Sequence, residues 1–271
     1  MATQQPLNVP EGMSLLGIWF DRTFRIWWAH RGWWLLVGGA FTLCVLAGNL
    51  AIMLLLGVPF PAGPPDWTTP QLIAFILSRL GLFLALSALC SPSMIVAALK
   101  QLRNEPVTLR ELLPVMRRWF VPALLALLAA GLLMVLIAAL PAVAIGLIAP
   151  ILGVLVLVIS MGGVAVGFFL VLPILVDQQT GPLAALARSW VTVHTHFWRF
   201  LFFAGFFFFV LLAVGGQIQS LMPTQNLNSL IWQAIAGAVV IPLPHIAEAV
   251  AYEESYCNPS DTDAHEQATS T

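Results

Sequence analysis

Charge is scarce in this chain: Asp, Glu, Lys and Arg make up 8% of its 271 residues, against about a quarter in a soluble globular domain. That shortage excludes an ordinary soluble fold. Residues 119–176 contain no charged side chain, and the mean hydropathy is +0.93, the mark of a chain built to cross a bilayer repeatedly. Cysteine is nearly absent. Cys44 and Cys90 lie in apolar runs and Cys257 in a polar segment, so no disulfide framework is expected. The first long apolar run begins only at Gly32, too late and too long for a cleaved signal peptide, and the N-terminus is expected to be retained. A Walker loop, a Gly-rich dinucleotide fingerprint, an HExxH helix and any Cys-ligand spacing are all missing. No catalytic residue, cofactor or metal is therefore expected. With a net charge of −1, neither is a nucleic-acid partner.

The cationic charge that is present falls in blocks, Arg79 apart. Arg22, Arg25 and Arg31 precede the first long apolar run. Lys100, Arg103, Arg110, Arg117 and Arg118 separate the second from the third, Arg188 and Arg199 lie between the fourth and fifth, and the alternate loops have none. By the positive-inside rule these segments and both termini are cytoplasmic. Six spans follow, at about residues 32–57, 71–99, 119–140, 151–176, 200–216 and 230–251. Three crossings in the uncharged stretch would leave Arg188 and Arg199 outside, so it is given two, with residues 141–150 either a tight external turn or a re-entrant bend. Tryptophan agrees with this layout: Trp19, Trp27, Trp28, Trp33, Trp34, Trp119, Trp190 and Trp198 fall at the inner boundary, Trp67 and Trp232 at the outer one. The expected fold is an all-α polytopic membrane helical bundle. A single integral domain covers residues 13–252, between a flexible N-terminus (1–12) and a disordered acidic tail (253–271).

Short amphipathic helices are expected before the odd-numbered spans. In residues 13–31, Leu16, Phe20, Phe24 and Trp27 recur at helical spacing while Asp21, Arg22 and Arg25 fall elsewhere on the wheel. A second begins at Thr108, which with Glu111 has the spacing of a capping box. A third covers residues 183–198. Arg22-Thr23-Phe24 with His30 matches Arg188-Ser189-Trp190 with His196 at a constant offset, and residues 110–119 are a looser copy. The implied unit is an interfacial helix plus a helical hairpin, used three times.

The passage LPILVDQQTGPLAALARSWVTVHTHFWRFLFF, from Leu172, combines an apolar run ending in Asp177, a turn at Gly181, then Ala185, Ser189 and Trp190, and an aromatic-basic re-entry at Trp198 and Arg199. It resembles the characteristic segment of the membrane domain of glycerophosphoryl diester phosphodiesterases and of related uncharacterised prokaryotic six-span proteins. TFRIWWAHRGWW near the N-terminus, and Pro242, Pro244 and Tyr252 near the end, are similar too. Where that pattern has a basic residue soon after the tyrosine, this chain has Glu253 and Glu254. The resemblance implies the membrane module without the catalytic barrel, which needs about 250 residues of its own.

Candidate contacts follow from residue type and position. Arg22, Arg25, Arg188 and Arg199 are placed to meet lipid phosphates, with Trp27, Trp190 and Trp198 setting depth. Arg79, inside the second span, either snorkels to the outer boundary beside Asp66 or marks a buried site for an anionic headgroup or solute. His245 and Glu248, three apart, share a helix face and can hold a metal, relay a proton or simply meet water at the boundary, whereas His194 and His196 point apart and do not suit joint ligation. Gly163 and Gly167, and the line Ala40, Cys44 and Gly48, are candidates for close helix packing. The expected function is that of a non-enzymatic lipid-interacting, anchoring or regulatory module in envelope maintenance. Its partners would be membrane lipids with anionic headgroups, a membrane protein or a second copy of the chain. The alternative is a small-solute or lipid transporter with a path near Arg79.

Overall fold

The computed structural model describes residues 15–56, 69–221 and 227–257. The amphipathic start forms α1 (Leu15–Ala29). At His30 the backbone leaves helical geometry (φ −113°, ψ 26°) and resumes as α2 (Arg31–Leu55). α3 (Thr69–Leu102) returns without interruption through Pro92. α4 (Leu109–Met134), a π-helical turn (Val135–Ala139) and α5 (Leu140–Gly146) form one rod of 38 residues. α6 (Pro150–Gly167) and α7 (Val171–Asp177) come back across the molecule. α8 (Pro182–Thr195) meets α9 (Phe197–Leu221) at His196 (φ −128°, ψ 37°), where the axis bends by 108°. α10 (Leu227–Val240) and α11 (Pro242–Tyr252) follow, and a π-helical turn (Glu253–Cys257) ends the described chain.

Five of these stretches are long and apolar enough to cross a membrane, and the count is six if the bent α8–α9 pair is one span. No strand occurs among the described residues. The protein is an all-α polytopic helical bundle. Its exposed surface is rich in Leu, Ile, Val and Phe, as lipid-facing surface is. The matched histidines of the sequence repeat, His30 and His196, both stand at helix breaks and have similar dihedrals. The hydroxyl residues seven positions before them, Thr23 and Ser189, are both fully buried. Thr23 donates to Trp19 O at 2.8 Å, and Ser189 donates to Gly167 O at 2.9 Å while accepting from Leu170 N–H.

The packed core lies at the end of the bundle that carries the basic residues. On α3, residues 91–95 and 97–99 are buried, whereas Ile73, Ile76, Leu77, Leu80 and Phe83 are exposed. Apolar burial gives helices little reason to associate in lipid, so close backbone approach and side-chain fit must hold them. Alanine provides that approach: Ala88, Ala97 and Ala98 on α3, Ala123 and Ala126 on α4, and Ala247, Ala249 and Ala251 on α11 are all buried. Rings fill the angle between α1 and α9, where Trp19 and Phe20 meet Phe203 edge-on at 5.2 and 5.0 Å.

Several expectations change. The interfacial helix after Thr108 is continuous with its span, because Pro114 and Pro122 sit inside α4 without breaking it. Thr108 is the N-cap residue but its side chain makes no bond to the helix backbone, and Glu111 bonds both Lys100, at 2.5 Å, and Thr108. The turn expected over residues 141–150 contracts to 147–149. Pro141 begins no loop: it lies inside the continuous rod, just after the π-helical turn, whose wider i→i−5 bonding accommodates a residue without an N–H. Gly146 and Gly153 lie back to back across this hairpin, and a Cβ on Gly153 would stand 2.5 Å from Gly146 Cα. On α2 the close approach is made by Gly38 and Thr42 against Ala238, Pro242 and Gly237, with Gly48 against Leu82, whereas Ala40 and Cys44 are exposed. Residues 253–257 are helical rather than part of a disordered tail, for the reason given below. The expectations for residues 1–12, Asp66, Trp67 and the tail beyond 257 lie outside the described residues.

Candidate functional site: an arginine-collecting loop at the basic end

The loop after α7 is built from three consecutive polar residues, and each takes an arginine from a different element. Asp177 accepts two hydrogen bonds from Arg103, just past α3, at 2.9 and 3.2 Å. The Gln178 amide oxygen accepts from Arg188 of α8 at 2.5 Å. The Gln179 amide oxygen accepts from Arg118 of α4 at 3.0 Å. Gln179 adopts φ 51°, a left-handed conformation uncommon outside glycine. The apolar run of α7 is wholly buried over Val171 to Val176, so the loop that follows is held at a fixed depth.

Arg103 is the hub. Its Nη2 and Nε also reach Glu253, at 2.9 and 3.3 Å. The hydrogen bonds to Asp177, then those to Glu253, push its pKa up and keep the guanidinium charged. Tyr252 donates its hydroxyl to Asp177 at 2.8 Å, and Gln178 donates to the same hydroxyl at 3.4 Å. Arg22 of α1 pairs with Glu254. Thr192 donates to Tyr256 at 2.9 Å, and the Tyr252 and Tyr256 rings stack at 5.2 Å. Residues 252–256 are thus tied to α1, α3, α7 and α8, which is why the acidic pair lies in ordered helix.

The charges around this loop do not cancel evenly. Arg103 faces two carboxylates and Arg22 faces one. Arg118 and Arg188 are steered by neutral amides, which orient a guanidinium without neutralising it. Arg118 also lies over the Trp119 ring at 5.3 Å, and Arg117 and Arg118 with Leu113 and Pro114 line a cavity of about 580 Å³.

The residues singled out from sequence divide accordingly. Arg188 lies in the site, and Arg199, half-buried, follows on α9. Arg22 pairs with Glu254, and Arg25, exposed on α1, pairs with Asp21 at 2.6 Å one helical turn away. Trp27 is half-buried, with an indole N–H that is enclosed and unpartnered, whereas its neighbour Trp28 is 64% exposed and is the ring at the surface. Trp190 packs inward, its ring occupying the space where a Cβ on Gly167 would stand, and stacks on His194 at 4.8 Å. Trp198, 67% exposed, is the only one of the three proposed depth markers that is open to the surroundings. His245 and Glu248 share a face, 3.6 Å apart, and Ser91 of α3 approaches the other His245 nitrogen at 3.4 Å. None of the described cavities opens onto this trio. Cys44 and Cys90 are both free thiols.

Sequence reading missed Arg103, Gln178, Gln179, Arg118 and the acidic pair as one unit, since they come from segments about 60 to 150 residues apart. The one local signal was the run of three polar residues closing a buried apolar helix. No protein-family model, curated protein or solved structure matches this chain.

Proposed function

We propose that this protein is a non-enzymatic integral membrane module of a prokaryotic inner membrane, with its basic end cytoplasmic, and that this end engages anionic phospholipid headgroups in envelope maintenance. One observation carries the reading. Arg118 and Arg188 are held by neighbouring glutamine amides beside an exposed apolar fringe, Leu113 on α4 and Leu183 on α8. A guanidinium positioned by a neutral group keeps its charge for a phosphate, and flanking apolar side chains suit the acyl boundary. The exposed Trp28 and Trp198 support the same depth. The likeness to the phosphodiesterase membrane domain favours a membrane module of this kind.

The test uses the full chain, purified in neutral detergent and offered phosphatidylglycerol or phosphatidylcholine, with retained lipid counted by mass spectrometry. Changing Arg118 and Arg188 together to Gln should weaken phosphatidylglycerol retention about tenfold, the effect of losing charge-assisted hydrogen bonds. Thermal stability should be kept, because Arg103 is untouched. Unchanged selectivity for the anionic lipid in that variant contradicts the proposal.

A further inference from the structure

The opposite end of the bundle carries a second polar feature, at Arg79. Arg79 is exposed on α3, with its guanidinium over the Phe75 ring at 5.2 Å, and among the described residues no carboxylate pairs with it. It shares an open cavity of about 390 Å³ between α2 and α3 with Asn49. Helical rise sets the depth. At 1.5 Å per residue, Arg79 stands about 32 Å from Lys100 along α3, and Asn49 about 27 Å from Arg31 along α2. The hydrocarbon core is about 30 Å thick. With Lys100 and Arg31 at one headgroup layer, both polar groups therefore arrive at the other.

Apart from Arg79 and Asn49 the cavity wall is apolar. One turn toward the bilayer centre from Asn49 stands Val45, one turn inward from Arg79 stand Leu82 and Phe83, and Phe75 and Ile76 flank Arg79 on its outer side, all on the same cavity. Gly48 brings α2 directly onto Leu82, which closes the floor. A cationic and amide lip thus stands over an apolar trough that opens sideways toward lipid. An anionic phospholipid has the complementary form, with phosphate oxygens for the guanidinium and the amide N–H groups and an acyl chain for the trough. A free inorganic anion would leave the trough unfilled.

We infer that the α2–α3 groove binds one anionic phospholipid of the leaflet opposite the basic end, through Arg79 and Asn49. This site is separate from the arginine-collecting loop and needs only the depth of the two helices.

The experiment is native mass spectrometry of the full chain titrated with phosphatidylglycerol. Arg79→Gln should weaken one tightly held adduct about tenfold, while Arg79→Lys retains part of it. Val45→Trp, which fills the trough and leaves the charge, should remove the same adduct. Millimolar inorganic phosphate should not displace it. The Arg118 and Arg188 double variant should keep this adduct and lose another, so either site can fail alone. An unaltered phosphatidylglycerol count in Arg79→Gln overturns the inference, as does full binding by Val45→Trp or displacement by phosphate.

Discussion

Arg103 shows how one side chain governs the basic end. It satisfies Asp177 and Glu253 together, each carboxylate accepting two of its N–H groups. Removing it leaves two partly buried carboxylates facing each other. Loss of one partner from a buried pair costs about 3–5 kcal/mol, and exposed pairs are worth under about 1 kcal/mol. For this half-exposed hub, Arg103→Ala should cost about 1–3 kcal/mol, read as a lowered Tm in detergent. Adding Glu253→Gln should recover part of that loss, because one of the stranded charges is then gone. A single variant as stable as the parent would show that the network contributes nothing. At this scale the sequence was only half legible. Arg188 stood out because it follows a turn on a mixed aromatic-basic helix, but nothing near Glu253 announces a partner 150 residues earlier. Composition marked the acidic pair as tail, and tertiary pairing made it helix.

Helices and their breaks were more legible, because they follow from local chemistry. The matched histidines do coincide with helix breaks, and the amphipathic pattern does give α1 and α8. Proline misled over residues 141–150, where a turn was expected from Pro141 and the helix instead runs on through it to Gly146. The GxxxG of α6 is instructive as well. Gly167 is filled against by Trp190, whereas Gly163 has no atom within 4 Å of where a Cβ would be. Within the chain the motif therefore brings α6 close to α8 at one position, Gly167, which seats the Trp190 ring, and Gly163 takes no part in that contact. Gly167→Ala should destabilise the protein by about 1–3 kcal/mol through overpacking, while Gly163→Ala should be neutral. Comparing the two melting temperatures checks this, and equal losses would restore the helix-seam reading.

At the scale of the whole molecule, low charge, long apolar runs and blocked cations specified an all-α membrane bundle before any contact was known. Helix order followed from that pattern, and five helices, or six if the bent α8–α9 pair is one span, are long and apolar enough to cross a membrane. What the pattern did not carry is where the bundle is tight. The core gathers at the basic end, where the last turns of α3, α7 and α11 converge on Arg103, and the opposite ends of α2, α3, α5 and α6 present apolar surface outward. This polarity fits a module anchored at one face and open to lipid at the other. Its central claim is that the Arg103 end lies in the cytoplasm. With Cys44, Cys90 and Cys257 replaced by Ala, single cysteines at Glu105, in the α3–α4 loop, and at Ile148, in the α5–α6 turn, can be labelled from either side of the membrane in cells. Glu105→Cys should react only from the cytoplasmic side and Ile148→Cys only from outside. Labelling of both from one side, or the reverse pattern, would contradict the account.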